Sequence, residues 1–518
     1  MWAGAAGILL LSVLLRWNSY DAPLVRDEGE YAYAAQLLGQ GIAPYEHAFL
    51  QKPPMAIYTY ALADMLAPGR FWAPRVLAWG FALVATVLLG AIARREWGAG
   101  CALPAMWVFT PLILLPGIEE FTANTEVFML LPLLGVIALY VFNRERGEAA
   151  GLWFAVGFVG ATTVLYKYTS GGLVLVVCAV WMVETARRGR LRRARLAWLG
   201  LSGLLGASLG AAVILGFFFV RDGGRHWWEC TVEFNRFYRS SGSFGLDALR
   251  FRAAEFWTHW WVICVLPLAL LVRPHGRLWF WFGLFAVACL STAMSWYGHY
   301  YITVMPFWAA LTAAAIQRVA TEAGRKLRWP ECWLRRGLTA GVVLVLCWPD
   351  IAWVSRSQEE FYSRKFPDHP FAEAVAVGRR VAELTGPRDY VYVAGSEPEI
   401  LRYARRVSPT RFVIAYPLMI PTPLAVSYQS EAIRELQERP PAVIVLARSA
   451  TSWLREPGSP PEFQAYLQKT LAQSYQAVGG VVKDGASAHW EEPLPTQDFR
   501  RSTLVVFKRV PGAGAAQL

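Results

Sequence analysis

The sequence predicts an α-helical protein that crosses a membrane about eleven times and carries a small α/β domain after its last span. Three observations predict it. Of 518 residues, 55% are apolar and only 17% charged, against roughly 25% charged in an ordinary soluble protein. The 40 residues between Arg277 and Arg318 contain no Asp, Glu, Lys or Arg, enough for two bilayer passes of about 20 residues each. The net charge of +12 is concentrated in short loops, as in residues 186–195 and 325–336, which is how loops held on the cytoplasmic side are marked. The composition excludes a disordered chain, a collagen, a coiled coil and a small disulfide scaffold. Nucleic-acid binding is not expected, since it needs a basic face on a folded soluble domain. The seven cysteines lie mostly inside apolar runs and none falls in the last 170 residues, so neither a disulfide framework nor a zinc spacing is present.

Taken in order, the apolar runs lie near 2–17, 76–93, 99–117, 124–142, 150–166, 168–184, 196–220, 256–272, 278–295, 300–317 and 337–354. The first has no basic n-region and no A-x-A site, so it reads as a retained span. Basic clusters at Arg94/Arg95, Arg144/Arg146, 187–195, Arg273/Arg277 and 318–336 fall in alternate loops, all on one side, which is therefore the cytoplasmic one. This puts the N-terminus on the cytoplasmic side of a cell membrane, with the 18–75 loop, the 221–255 loop and the chain after about 355 outside. Residues 1–354 form the membrane domain and 355–518 a soluble extracytoplasmic α/β domain. There, 371–384 and 430–439 read as helices, and 389–395 and 442–447 as strands. The glycine in YVYVAGSEPEI marks a tight turn, because no G-x-G-x-x-G accompanies it. The domain is expected to cover the exterior mouth of the membrane part.

The first exterior loop, RDEGEYAYAAQLLGQGIAPYEHAFLQKPPMAIY (26–58), gathers charge in a chain that otherwise avoids it. Its EYAYAAQLL stretch reads as an amphipathic helix lying at the interface. Asp27 with Glu30 fits a capping box. A cap does not explain acids beside Gln51-Lys52-Pro53-Pro54, whose prolines hold the backbone extended. A lysine on a stiff segment facing carboxylates at a membrane surface reads as a site.

Asp27-Glu28, a short helix and Lys-Pro-Pro 25 residues on resemble the first exterior loop of GT-C glycosyltransferases. Protein O-mannosyltransferases, lipid A aminoarabinose transferases and transferases that modify lipopolysaccharide cores are the nearest in pattern. Asn124-Thr125-Glu126, Lys167 in LYKYTSGG, and Gly298-His299-Tyr300-Tyr301 with Met305-Pro306 continue the resemblance in register, over about residues 1–320. It implies a sugar donor carried on a polyprenyl phosphate, an extracytoplasmic acceptor hydroxyl on glycolipid, lipopolysaccharide or protein, and inversion by in-line displacement. Asp27 is then the base, with Glu28 beside it, and burial near Glu28 and Glu30 is expected to raise its pKa. Lys52, Lys167 and Tyr300 meet the leaving phosphate, while Glu30, Glu126, Asn124 and His299 support. In the aminoarabinose transferases an acid implicated in metal binding precedes Lys-Pro-Pro. Gln51 stands there in this chain, so no cofactor is assigned and a divalent metal is doubtful. His47 and His299 are alternative ligands, although sequence-distant histidines are more often hydrogen-bonded structural residues.

Other readings stay open on single residues. Lys167 at a span end also fits a lysine snorkelling to the interface. Glu126 also fits a structural ion pair, with Lys167 or Asn124 as partner. Glu119 and Glu120 read as solvated. Arg225, Arg236 and Arg239 with Trp227 and Trp228 form either an interfacial belt or a lid over a lipid donor. A transporter or flippase predicts charges near the middle of spans and an internal repeat, and neither is visible. An inactive envelope scaffold is opposed by the Asp27/Lys52 pair.

Overall fold

Backbone in hydrocarbon has to satisfy its own hydrogen bonds, so each apolar run is expected to close on itself as a helix. In the computed structural model all eleven do. It describes residues 2–115, 122–189, 191–238, 245–272, 276–293, 295–484, 487–495 and 499–510. The runs become the helices Trp2–Arg16, Ala73–Trp97, Ala102–Leu114, Thr125–Asn143, Ala150–Tyr166, Gly171–Gly189, Arg193–Asp222, Leu246–Val265, Gly276–Thr292, Met305–Leu327 and Glu331–Cys347. Among the described residues six helical stretches are long and apolar enough to cross a membrane, and shorter apolar helices accompany them.

Gly298–Leu327 is the most buried of these stretches and forms the centre of the bundle, whereas Arg193–Arg221 is the least buried and presents its apolar surface outward. That outer helix packs on Ala150–Tyr166 through small residues. A Cβ on Gly157 would come 1.9 Å from the Gly203 carbonyl oxygen, and one on Gly206 would come 2.0 Å from that of Phe154. Such backbone approach holds helices together where lipid removes the hydrophobic drive. The basic loops gather on one face. Arg144 pairs with Glu96, Arg188 donates to the Arg144 carbonyl at 3.1 Å, and Arg195 donates to that of Glu148 at 2.8 Å.

On the opposite face, the 18–75 segment holds three helices, Arg26–Gly39, Pro44–His47 and Met55–Leu66. The first is buried from Glu28 to Leu37, where an amphipathic helix would leave one face open. The physical reason is a second layer. The Ser408 amide donates to the Tyr33 hydroxyl at 2.9 Å, and Gln36 Nε2 donates to the Arg406 carbonyl at 3.3 Å. Gly29 lies so close to this layer that a Cβ there would meet the Glu399 amide nitrogen at 2.7 Å.

That layer is the C-terminal segment. Its sheet contains β1 (Val391–Ala394), β2 (Val443–Ala447), β3 (Tyr475–Asp484), β4 (Ser487–Glu491) and β5 (Ser502–Arg509), in the order β1-β2-β5-β3-β4. β1 and β2 are parallel; the other pairs are antiparallel. The helix Phe371–Leu384 buries Ala374, Val377 and Val381 on one face, as its 3.6-residue period requires. The last three strands go beyond the expected pattern. Gly479 and Gly480 lie in β3, and register shifts at Ala477/Gly479 and Val481/Val482 break the alternation that marks a strand.

Candidate active site

The Arg26–Gly39 helix begins after Val25, whose amide donates to Glu28 Oε2 at 3.1 Å. Glu28, not Asp27 or Glu30, therefore caps the helix, and the capping-box reading of the latter two does not hold. Arg26, Asp27 and Glu30 line a cavity of about 150 Å³. Glu28 points away from it, as a helix step of about 100° demands. Its Oε1 accepts from Arg75 Nε at 2.9 Å and from the Ala123 amide at 2.8 Å, and its Oε2 accepts from Arg75 Nη2 at 2.5 Å. Both side chains are 0% exposed. Glu28 is thus held in an internal ion pair with Arg75, turned away from the cavity that Asp27 lines.

Asp27 Oδ2 accepts from Lys52 Nζ at 2.9 Å and lies 3.6 Å from His299 Nε2. Lys52 is held there by its extended segment. Its carbonyl accepts from the Tyr45 hydroxyl at 2.8 Å, the Gln51 carbonyl from Asn235 Nδ2 at 2.9 Å, and the Phe49 amide donates to the Arg411 carbonyl at 2.6 Å. Burial pushes the Asp27 carboxyl up, but the Lys52 ammonium, His299 and Arg26 outweigh it and hold the group at about 2. The expected upward shift is therefore reversed, because the sequence showed the acids near Asp27 without the cations that face it. Lys52 stays an ammonium: its burial is outweighed by Asp27, which holds it well above the ordinary lysine range. The missing upward shift falls on Glu30. Burial first and the Asp27 charge second push its carboxyl to about 8.

The sign of that shift gives a test. Folded Glu30 binds a proton that the unfolded chain, near the ordinary 4.5, releases. The folded state therefore loses stability as pH rises from about 4.5 to about 8. Glu30→Gln removes the loss, so its thermal midpoint is expected to gain on the wild-type one between about pH 5 and pH 8. A gap that stays constant with pH would place the Glu30 titration elsewhere.

At the far side of Lys52, the Lys167 ammonium pairs with Glu126 and sits 3.4 Å from the centroid of the Tyr300 ring, a cation–π contact. The two charged side chains are 11% and 1% exposed, so Lys167 does not snorkel to solvent. Among the described residues Glu126 Oε2 and Asn124 Oδ1 are buried and meet no hydrogen-bond partner, while Asn124 Nδ2 donates to Thr122 at 2.9 Å. A second cavity, of about 440 Å³, is lined by Lys52, Lys167, Arg236 and Tyr300 among others. Lys52, Tyr300, Gln51 and Tyr238 border both cavities. Asn124 and His299 line the first; Glu126 stands behind Lys167. Arg225, Trp227 and Trp228 line a separate crevice with helix Ala425–Glu438. Glu119, Glu120 and Arg239 lie outside the described residues.

The group opposite Asp27 is an ammonium, Gln51 brings no charge, and His47 pairs with Glu46 at 4.0 Å away from both cavities. Among the described residues no group of three or more His, Cys, Asp or Glu side chains is arranged to hold a metal ion.

Sequence reading passed over the clamp on Arg26. Its Nε donates to the Ser396 carbonyl at 2.6 Å, its Nη2 to Glu397 at 3.3 Å, and its Nη1 to the Tyr416 hydroxyl. The signal was present in GSEPEI (395–400), two acids directly after a buried strand, where a plain turn needs none.

No family model and no curated protein matches the sequence. Solved structures do match the fold. ArnT from Cupriavidus metallidurans bound to undecaprenyl phosphate superposes with a TM-score of 0.61 at 16% identity, covering 99% of each chain. Its apo state gives 0.58 at 15% identity over the same coverage. The archaeal oligosaccharyltransferase AglB from Archaeoglobus fulgidus, in complex with an inhibitory peptide and a dolichol-phosphate, gives 0.52 at 11% identity, covering 96% of this chain and 75% of that one.

Proposed function

Proceeding from the GT-C fold of this chain, we propose that it is an integral membrane glycosyltransferase. It moves a sugar from a polyprenyl-phosphate donor to an acceptor hydroxyl, with inversion, on the exterior face of a cell membrane whose other side carries the basic loops. The observation that carries this reading is the approach of the Asp27 carboxylate to the Lys52 ammonium where two cavities meet, with the Lys167–Glu126 pair at the second of them. The undecaprenyl phosphate bound to ArnT and the dolichol-phosphate bound to AglB support the donor class.

The donor phosphate belongs in the Lys167 cavity, where Lys52, Lys167 and Arg236 bring positive charge and Tyr300 a hydroxyl. Preorganised charge of this kind stabilises the leaving group as its own charge grows. In-line displacement then brings the acceptor from the opposite side, the Asp27 cavity. The acceptor oxygen forms a bond to the anomeric carbon and gives its proton to Asp27. The bond from that carbon to the phosphate oxygen breaks, and its electron pair leaves with the lipid phosphate.

Lys52 links the two halves. Without donor it holds the Asp27 carboxyl at about 2, a poor base. When Lys52 turns to the donor phosphate, the largest attraction acting on Asp27 is withdrawn and burial remains, so the carboxylate becomes a stronger base. Donor binding thus precedes activation of the acceptor.

The test is donor consumption and transfer by the purified protein in nanodiscs, across a panel of polyprenyl-phosphate sugars. One donor class is expected to be consumed. Lys167→Met is expected to lower kcat/KM for that donor about 10²-fold, the scale of losing one preorganised charge-stabilising group, and Lys167→Arg to recover part of it. If no donor is bound or consumed, the transferase reading is wrong.

A further inference from the structure

We propose that the acceptor is a sugar ring, seated against an aromatic wall that the C-terminal segment presents to the Asp27 cavity. The inference rests on the transferase reading and names the substrate class of its acceptor side. Two kinds of side chain line the cavity. Asp27, Glu30, Lys52 and His299 bring polarity and charge. Phe366, His369, Phe371 and Tyr416 of the C-terminal segment bring aromatic rings, as do three tyrosines of the membrane part.

The aromatic wall is rigid. His369 stacks on Phe371 with ring centroids 4.9 Å apart and 15° between planes, and Phe366 meets Phe371 edge-on at 5.4 Å and 74°. The strap that carries these rings is pinned from outside. The Asp368 carbonyl accepts from Thr451 Oγ1 at 2.8 Å and from the Ser449 hydroxyl, and the Pro367 carbonyl accepts from Lys483 Nζ at 2.9 Å. Preorganised rings lose little freedom on binding, so their contact area converts efficiently into affinity.

A pyranose is amphiphilic in the same sense as this cavity. Its C–H faces lie flat on the electron-rich faces of aromatic rings, while its equatorial hydroxyls point sideways to polar partners. With one ring face against the wall, a hydroxyl reaches towards Asp27. A peptide acceptor would need something else. Extended peptides are bound along exposed strand edges or grooves that satisfy their backbone groups, whereas among the described residues no strand lines this cavity.

The experiment uses the full-length protein in nanodiscs with the donor identified above. Simple glycosides are offered as acceptors, with a peptide containing Ser and Thr beside them. Glycosides are expected to accept. His369→Ala and Phe371→Leu are expected to raise the acceptor KM about tenfold more than the donor KM, roughly the loss of one good contact. The thermal midpoint of each variant, measured beside the wild-type one, controls for folding. The proposal is overturned if both variants move acceptor and donor KM equally, or if the peptide accepts and the glycosides do not. A wild-type protein that consumes no donor at all overturns the transferase reading instead, and the two failures are told apart by that one measurement.

Discussion

Asp27→Asn is expected to lower transfer about 10²–10⁴-fold, the range over which a general base contributes, while the protein stays folded. Folding survives because Asp27 caps nothing: the helix start is capped by Glu28. What Asp27 gives up is its pair with Lys52, whose two side chains are 24% and 18% exposed, and partly solvated pairs contribute far less than buried ones. The pH dependence carries the finer test. In the free protein the carboxyl sits at about 2 against an ordinary 3.8. The pair therefore stabilises the fold above about pH 4 and loses its effect only as pH falls through about 2. Once the donor phosphate has drawn Lys52 away, the same carboxyl titrates higher. The pH profile of kcat, which reports the substrate complex, is expected to show its acid limb well above pH 2. The base assignment fails if Asp27→Asn keeps full activity, and Glu30 in the same cavity is then the next residue to replace.

The membrane architecture was legible because each of its signals is local. A run of apolar residues has to become a helix in lipid, and each of the eleven did. The Asp27–Lys52 approach was legible for a related reason: proline stiffens 51–54 and a helix precedes it, so few conformations are open to the residues between. Glu28 shows where such reading stops. Adjacent residues on a helix point about 100° apart, and nothing near Glu28 in sequence announces that Arg75, 47 residues on, takes its carboxylate. The contacts that close the cavity reach further still. Arg26 to Ser396 and Tyr416 span 370 and 390 residues, and the ring cluster at 366–371 looks in sequence like ordinary apolar residues before a helix. A pattern of period 2 or 3.6 reports which face is buried and is silent about what buries it. The same limit explains the pKa of Asp27, since its sign depends on which charges arrive from distant segments.

Arg75→Ala is expected to destabilise the protein by about 3–5 kcal/mol, the effect of leaving a buried charge without its partner, and Glu28→Gln by a smaller amount in the same direction. The size follows from how much Arg75 holds. Besides its fork on Glu28, its Nη1 donates to the carbonyls of Ser19 and Ala22 at 2.7 and 2.6 Å, and its Nη2 to that of Pro23 at 2.8 Å. These carbonyls belong to the link between the first span and the Asp27 helix. Glu28 in turn accepts from the Ala123 amide at 2.8 Å, just before Asn124 and Glu126. One ion pair therefore fixes three segments that carry site residues. Arg75→Lys keeps the charge but not the planar fork, so it is expected to recover only part of the stability. The decisive comparison is made at low temperature, where the variants remain folded. There Glu28→Gln is expected to regain most of its transfer activity and Asp27→Asn none. Both carboxylates failing alike in folded protein would return Glu28 to the chemistry. Recovery of Glu28→Gln alone means that adjacent acids on one helix divide the work: Glu28 places the segments and Asp27 faces the substrate.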